Sequence, residues 1–555
     1  MSTDTAVNND GPTPDTAMAR PAHPWLALTA LLVGLSMIII DGSVVNVLLP
    51  TMVDDLDLTQ TDAQWVNSIY SLVFASLLIT VGLMSDKYGR RLLFVLGILI
   101  FIIGSVMSGS SQNSEFLISA RAIQAIGASM MLPSSIAVIN VLFTGKDRAV
   151  AFGLWGAVFG GAAGLGPLLG GWLAEDFSWR WAFYINIPIA IISAILVMRT
   201  VPETKVAGVG KIDIVGVLLS SLGLALIVFG LIEGQQYGWW KAIADFDVGP
   251  IGLDTGGISV VPVTFLLGAL LLVALVIFEK QRGKTDKTPL VDLELFAIRR
   301  YGFGNIVALV VSLGEFGILF VLPLWLQSVA GLDPLTTGAL IAFLAIGTLT
   351  AGGSARHVSA RFGATQVVRL GMGLEIVGIL GIGWSFSVDR SPWWMAIPLV
   401  IYGLGVGFAS AQLTNVVLAD VPPAKSGQAS AMTSTFRQIG SALGAAILGA
   451  VLFTGLATSL SNELEDVPGL TTSQSAEIVD SVKTSAGQSI VKMEENPQLD
   501  VVVTDSKNAY TESARLTAII AAVFVFFGLL VSFGLPKDRV EDDTAAADDD
   551  VPVGT

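Results

Sequence analysis

Cysteine is absent from this 555-residue chain, which excludes disulfides, thiol catalysis and cysteine-held metals. Only two histidines occur, His23 and His357, too few for a histidine metal centre. Charge is sparse: Asp, Glu, Lys and Arg make up 14% of the residues, where a soluble chain carries roughly 25%. No nucleotide-binding loop, catalytic triad or sizeable soluble domain is found, so an enzyme is not expected, nor a bound cofactor, metal or nucleic acid. Residues 1–24 hold a single basic residue, Arg20, and no small-residue cleavage site. A cleavable signal peptide is therefore not expected, and the first apolar segment should act as an uncleaved insertion signal.

What is abundant is apolar surface. Hydrophobic residues reach 53% and the mean hydropathy is +0.72, the mark of an all-α polytopic membrane protein whose apolar surplus faces lipid. The net charge of −15 is concentrated in the stretch 456–514 and the tail 536–555, outside the bilayer.

A membrane span needs about 20 mostly apolar residues. About fourteen such stretches occur, near 25–49, 62–84, 92–110, 116–142, 149–173, 181–199, 212–232, 261–279, 302–329, 335–354, 365–385, 393–418, 427–455 and 515–535. Alternate connections are rich in Lys and Arg, among them Lys87, Arg90, Arg91, Lys205, Arg299, Arg300, Arg361 and Lys425. The excess of basic residues places that side, and with an even count both termini, in the cytoplasm.

The chain repeats itself. Ser85-Asp86-Lys87-Tyr88-Gly89 follows the second span, and Ser359-Ala360-Arg361-Phe362-Gly363 follows the tenth. This spacing predicts two six-helix halves, 25–199 and 301–535, around a linker, 200–300, that carries two inserted helices near 212–232 and 261–279. Residues 1–24 are expected to be a disordered cytoplasmic terminus and 536–555 an acidic cytoplasmic tail. Parallel halves of this kind belong to a known transporter architecture.

Asp41 lies inside the first span. A charged carboxylate at that depth costs about 2.5–3.5 kcal/mol on insertion scales, so it is read as a group for proton relay, ion coupling or substrate charge. The repeat supplies a counterpart: Asp41 precedes Pro50 as Glu315 precedes Pro323. Each lies roughly 22–25 Å along its helix from the cytoplasmic end, past the midplane. Arg121, in the fourth span, cannot lose its proton and wants a carboxylate such as Asp41; the alternative is snorkelling to the nearby helix end. Glu375 and Arg437 also lie at membrane depth and could pair or serve the cycle. Trp65, Asn67, Tyr70, Gln412 and Asn415 could line a cavity or simply pack. The stretch 456–514 is read as a solvated extracellular loop, with gathering of cations or gating of the outer mouth as the alternatives.

Several runs resemble one family. Gly82-Leu83-Met84-Ser85-Asp86-Lys87-Tyr88-Gly89-Arg90-Arg91 resembles motif A of the major facilitator superfamily, and a cytoplasmic latch through Asp86, Arg90 and Arg91 is expected from it. Arg121-Ala122-Ile123-Gln124-Ala125-Ile126-Gly127 resembles motif B, with Ala125 where a glycine is usual. Gly166-Pro167-Leu168-Leu169-Gly170-Gly171 is similar to motif C, associated with antiporters, and the Asp41 segment looks like motif D. Ser178-Trp179-Arg180-Trp181-Ala182-Phe183-Tyr184-Ile185-Asn186-Ile187-Pro188, Pro289-Leu290-Val291-Asp292-Leu293 and Phe436-Arg437-Gln438-Ile439-Gly440 are further matches to the fourteen-span drug:proton antiporters.

The resemblance covers about 25–535. It implies a plasma-membrane exporter of lipophilic, often cationic compounds, driven by the proton gradient through alternating access. Asp41 and Glu315 would be the coupling carboxylates, tuned by Arg121. Export of a defined metabolite such as a diamine, amino acid or self-made antibiotic is the competing expectation, and a non-transporting membrane sensor a more distant one. Substrate, protons and membrane lipid are the expected partners; a monomer fits but the sequence leaves the oligomeric state open.

Overall fold

The computed structural model describes residues 23–536 except 144, 206–212, 244–245, 249–250, 254–256, 284–292, 423–424, 466 and 468–469. The run Pro289 to Asp292 and the tail beyond 536 thus lie outside the described residues.

The chain is a bundle of helices. The first half comprises α1 (Pro24–Asp55), α2 (Gln60–Tyr88), α3 (Arg90–Gly109), α4 (Ser114–Leu142), α5 (Gly145–Asp176), α6 (Trp181–Tyr184) and α7 (Asn186–Thr200). The inserted pair is α8 (Ile214–Tyr237) and α9 (Val260–Arg282). The second half comprises α10 (Arg299–Ser328), α11 (Pro334–Phe362), α12 (Ala364–Ser385), α13 (Ala396–Leu418), α14 (Ser426–Glu465), α15 (Thr472–Thr484), α16 (Gln488–Glu494) and α17 (Asp500–Ser532).

Local sequence starts these helices where the backbone needs partners. Thr59 and Asp62 form a reciprocal capping box on α2, and the side chains of Asn113, Asp213, Ser259 and Asp333 accept from the first turns of α4, α8, α9 and α11. Pro50, Pro133, Pro167 and Pro323 lie inside helices, tolerable where neighbouring helices satisfy the freed backbone groups.

Among the described residues, 12 helices are long and apolar enough to cross a membrane. The stretches 62–84 and 149–173 fall in α2 and α5, helices of 29 and 32 residues that contain side chains outside the described set.

The all-α class holds, with a short antiparallel hairpin, β1 (Phe246–Val248) with β2 (Ile251–Leu253), in the connection from α8 to α9. One expectation needs correction: the stretch 456–514 is no simple solvated loop. It extends α14, forms α15 and α16, and begins α17, with Val482, Ala486 and Ile490 fully buried against the bundle. Those apolar positions are too few to read as a core by hydropathy, yet they suffice to seat two short helices.

The halves meet through α5 on α11 and α2 on α14, while α8 lies against α2 and α14 and carries α9 on its other side. For orientation, the face holding the basic turns at Gly89 and Gly363 is called the basic face. Described contacts between the halves lie from mid-bundle to the opposite face. Ser71 and Ser441 bond at 3.0 Å, Gln327 donates to the Val47 carbonyl at 2.9 Å, and Lys492 pairs with Asp54 at 2.9 Å. Toward the basic face, Gly352 and Gly353 of α11 have no neighbour within 4 Å of the position a Cβ would take. The cleft is closed at the opposite face in this conformation.

Candidate functional site

Four helices of the first half converge on Asp41. Arg121 Nη1 of α4 lies 2.5 Å from Asp41 Oδ2. Gln124 Nε2 donates to Asp41 Oδ1 at 2.7 Å and Asn186 Nδ2 of α7 donates to the same oxygen at 2.9 Å. Ser105 of α3 accepts from both amides. Asp41 is 1% exposed and Arg121 2%, so the pair is fully desolvated. Such a pair is costly unless further hydrogen bonds satisfy its remaining atoms, and Gln124, three residues after Arg121 on the same helix face, bonds both partners: its Oε1 accepts from Arg121 at 2.7 Å, while Arg121 Nε has no partner among the described residues.

The guanidinium also lies over the Tyr70 ring, 4.5 Å from its centroid, a cation–π contact made stronger by the loss of water. Asn67 donates to Asn46 at 2.9 Å, tying α2 to α1 one turn beyond Asp41. Gly42, next to Asp41, faces open space. The snorkelling alternative for Arg121 does not describe this geometry.

The second half gathers a different cluster. Glu315 of α10, Glu375 of α12 and Tyr402 of α13 lie within one another's electrostatic reach, with Arg437 of α14 acting on both carboxylates. Arg437 donates to Ser410 at 3.0 Å. Glu315 Oε2, Glu375 Oε1 and the Tyr402 hydroxyl are buried with no hydrogen-bond partner among the described residues. Glu375 is 1% exposed because Gly405 lets α13 pack against it. Asp41 and Glu315 therefore do not meet. Each anchors a cluster in its own half, one saturated with donors and one with open acceptor positions.

The other expected residues divide. Trp65 does not face the cleft: it donates to Glu233 at 3.0 Å and packs on Phe229, both on the inserted helix α8, because α8 covers that side of α2. Gln412 is buried and Asn415 exposed on α13. At the basic face, Arg90 donates to the Ala137 carbonyl at 3.2 Å, and Glu203 accepts from the Arg91 and Leu92 amides at 3.1 and 3.0 Å. Gly89 has φ 127°, and a Cβ there would strike Glu203. Of the arginines of the expected latch, the Arg91 side chain is thus held by the chain after α7 and the Arg90 side chain by α4; the side chain of Asp86 lies outside the described residues, and Gly82 faces Pro133 of α4.

The Gly-Pro run forms the contact of α5 with both neighbours. Gly166 sits against Ser43 and Ile40 of α1, Gly170 against Val44, and Gly171 against Pro334 and Leu335 of α11, while the Pro167 carbonyl abuts Gly338. Trp179 and Arg180 both donate to Asp55, at 3.0 and 2.6 Å, closing the end of α1.

Sequence reasoning missed Gln124, Asn186, Ser105, Glu203, Tyr402 and Glu233. Gln124 and Asn186 stand inside runs singled out for other residues, and an amide three residues from a buried arginine was an available signal. Nothing local marked Glu203 or Glu233.

Comparison with known proteins places these features in a lineage. Residues 31–445 match the Major Facilitator Superfamily. The chain is 32% identical to a probable actinorhodin transporter of Streptomyces coelicolor over 82% of this chain and 78% of that protein. It is 30% identical to the multidrug efflux pump LfrA of Mycolicibacterium smegmatis over 92% and 96% of the two chains. Among solved structures, an inward-facing, unoccupied bacterial homologue of the human lysosomal transporter Spinster matches with TM-score 0.60 and 16% identity, over 93% of this chain and 98% of that one, a likeness of fold.

Proposed function

This chain belongs to the Major Facilitator Superfamily and is an integral membrane transporter, and within that frame we propose that it exports lipophilic, cationic compounds across the plasma membrane in exchange for protons. The basic face is read as cytoplasmic, with both termini on that side, so the closed opposite face makes this the inward-facing state. The carrying observation is the contrast between the two carboxylate clusters. Asp41 is bonded by Arg121, Gln124 and Asn186, whereas Glu315 and Glu375 each hold an acceptor oxygen with no partner among the described residues.

That division suggests the cycle. A proton or a cationic substrate can be accepted at Glu315 without breaking a bond. A proton reaching Asp41 must displace Arg121, and this coupling changes the packing of α1 against α4 and α7. Protonation shifts a conformational equilibrium only if it is bound more tightly in one facing state; a pair that must open to take a proton meets that condition. The Gly166–Gly171 face lets α5 slide on α1 and α11 without leaving a gap. Relatives named for an antibiotic and for multidrug efflux support export of drug-like compounds.

The test is efflux of a fluorescent lipophilic cation from proteoliposomes with an imposed pH gradient. Glu315→Gln and Asp41→Asn should each abolish gradient-driven efflux. Full efflux by Asp41→Asn would overturn its coupling role. The second reading, export of a self-made antibiotic, is favoured by the likeness to the probable actinorhodin transporter; it predicts flux of one compound and none of the unrelated cations.

A further inference from the structure

We propose that the groove between the inserted helix α8 and helices α14 and α17 is a second binding site, for a lipophilic monocation with a long apolar body, apart from the cleft between the halves. This extends the proposed function and rests on it only for the class of ligand.

The groove has a volume of about 730 Å³, within the range that holds a drug-sized molecule. Its body is apolar, with Leu231 and Trp239 from the inserted segment facing Ile447 and Val451 of α14. Its head is polar and acidic. Glu512 of α17 accepts from Ser459 at 2.7 Å, and Glu463 lies within the electrostatic reach of both Asp505 and Glu512. No Lys, Arg or His is among the described residues lining the groove.

A second cavity of about 210 Å³ lies deeper along the same seam, lined only by apolar residues including Ile227 and Leu443. Ile227 and Leu443 each stand one helical turn before Leu231 and Ile447, lining residues of the outer groove. The seam therefore offers a negative head, a broad apolar body and a narrow dry end.

That order selects the occupant. A zwitterionic phospholipid would set its phosphate against Glu512, with the charges of Glu463 and Asp505 close behind, whereas an ammonium would meet opposite charge. Trp239, whose ring packs on Gly234 at the end of α8, adds an indole face suited to a cation. The inserted segment closes one wall of the groove through Leu231 and Trp239, so the site gives α8 a task beyond the two six-helix halves.

Trp239 supplies the readout. Purified protein in detergent, without a pH gradient, is titrated with a bromoundecyl trimethylammonium, and quenching of Trp239 is taken as wild type minus Trp239→Phe. Saturable quenching is expected, with affinity falling about tenfold or more in Glu512→Gln and for the uncharged bromoundecanol. Ile447→Trp, which fills the groove, should abolish binding. Equal affinity for the ammonium and the alcohol would overturn the proposal, as would unchanged binding in Glu512→Gln or no saturable quenching. The Asp41→Asn protein should bind normally, so loss of efflux there and loss of binding here are separate failures.

Discussion

Arg121 of α4 and Asp41 of α1, 80 positions apart in the chain, form a fully buried ion pair with Nη1 and Oδ2 at 2.5 Å. Removing one partner leaves an uncompensated charge in a low-dielectric site, a cost of about 3–5 kcal/mol. Arg121→Ala should therefore lower thermal stability in detergent far more than the double variant Arg121→Gln with Asp41→Asn, which removes both charges. Differential scanning fluorimetry reads the ordering; equal losses would mean that the pair contributes no more than side-chain volume.

The close approach of Gly171 to the backbone of Pro334 and Leu335 makes a specific demand on the α5–α11 contact. A valine there cannot fit without spreading the two helices at the opposite face. Gly171→Val should open that face while sparing the interior of each half. Because the chain contains no cysteine, a single Gln327→Cys reports directly: its labelling by a polar maleimide should rise several-fold in the Gly171→Val background. An unchanged rate would show that the contact does not hold the halves closed.

Lys492 of α16 pairs with Asp54 of α1 at 2.9 Å, bringing the 456–514 segment onto the other half. The hydrogen bond and charge of Asp54 raise the lysine above its ordinary value of 10.5. A raised lysine contributes stability that is fully present below the unfolded value and is lost as pH rises through the folded one. The clasp should hold at neutral pH and loosen only under alkaline conditions, above about 10.5. Lys492→Glu should loosen it at pH 7 by repulsion from Asp54. Ser328, 1% exposed and bonded by Gln488, lies beneath; Ser328→Cys should label slowly until Lys492→Glu is added.

Glu203 holds the amides of Arg91 and Leu92 at the start of α3, where a carboxylate also meets the positive end of the helix. Glu203→Ala frees both amides and should cost about 1 kcal/mol, as loss of a helix cap does. Gly89→Ala should cost more, since it adds strain at φ 127° and a clash with Glu203. Melting temperatures of the two variants give the order, and a smaller loss for Gly89→Ala would contradict the turn geometry.

Much of this was legible from local signals. The long apolar runs marked the helices because lipid requires about 20 apolar residues per crossing whatever their neighbours. Asp41 and Arg121 stood out for the same reason: a charge in such a run is costly enough to need a purpose. The Gly-Pro run announced a close helix contact, since small residues in a membrane helix mark approach of another backbone.

Which groups meet was not written locally. Trp65 was as compatible with a cleft as with α8, and only the packing of α8 on α2 turned it to Glu233. Glu375 carried no local sign of its neighbours, and the absence of a side chain at Gly405 let α13 pack over it. The paired carboxylates Asp41 and Glu315 looked alike in their helices; the tertiary structure gave one three donors and left the other an unfilled oxygen. Hydropathy and charge act at a single position and survive in a one-dimensional reading. Partnership depends on side chains brought together from distant helices, so the sequence determined that this is a helical membrane bundle with costly buried charges, and the fold alone decided which of those charges are satisfied by neighbours and which hold an unpartnered oxygen among the described residues.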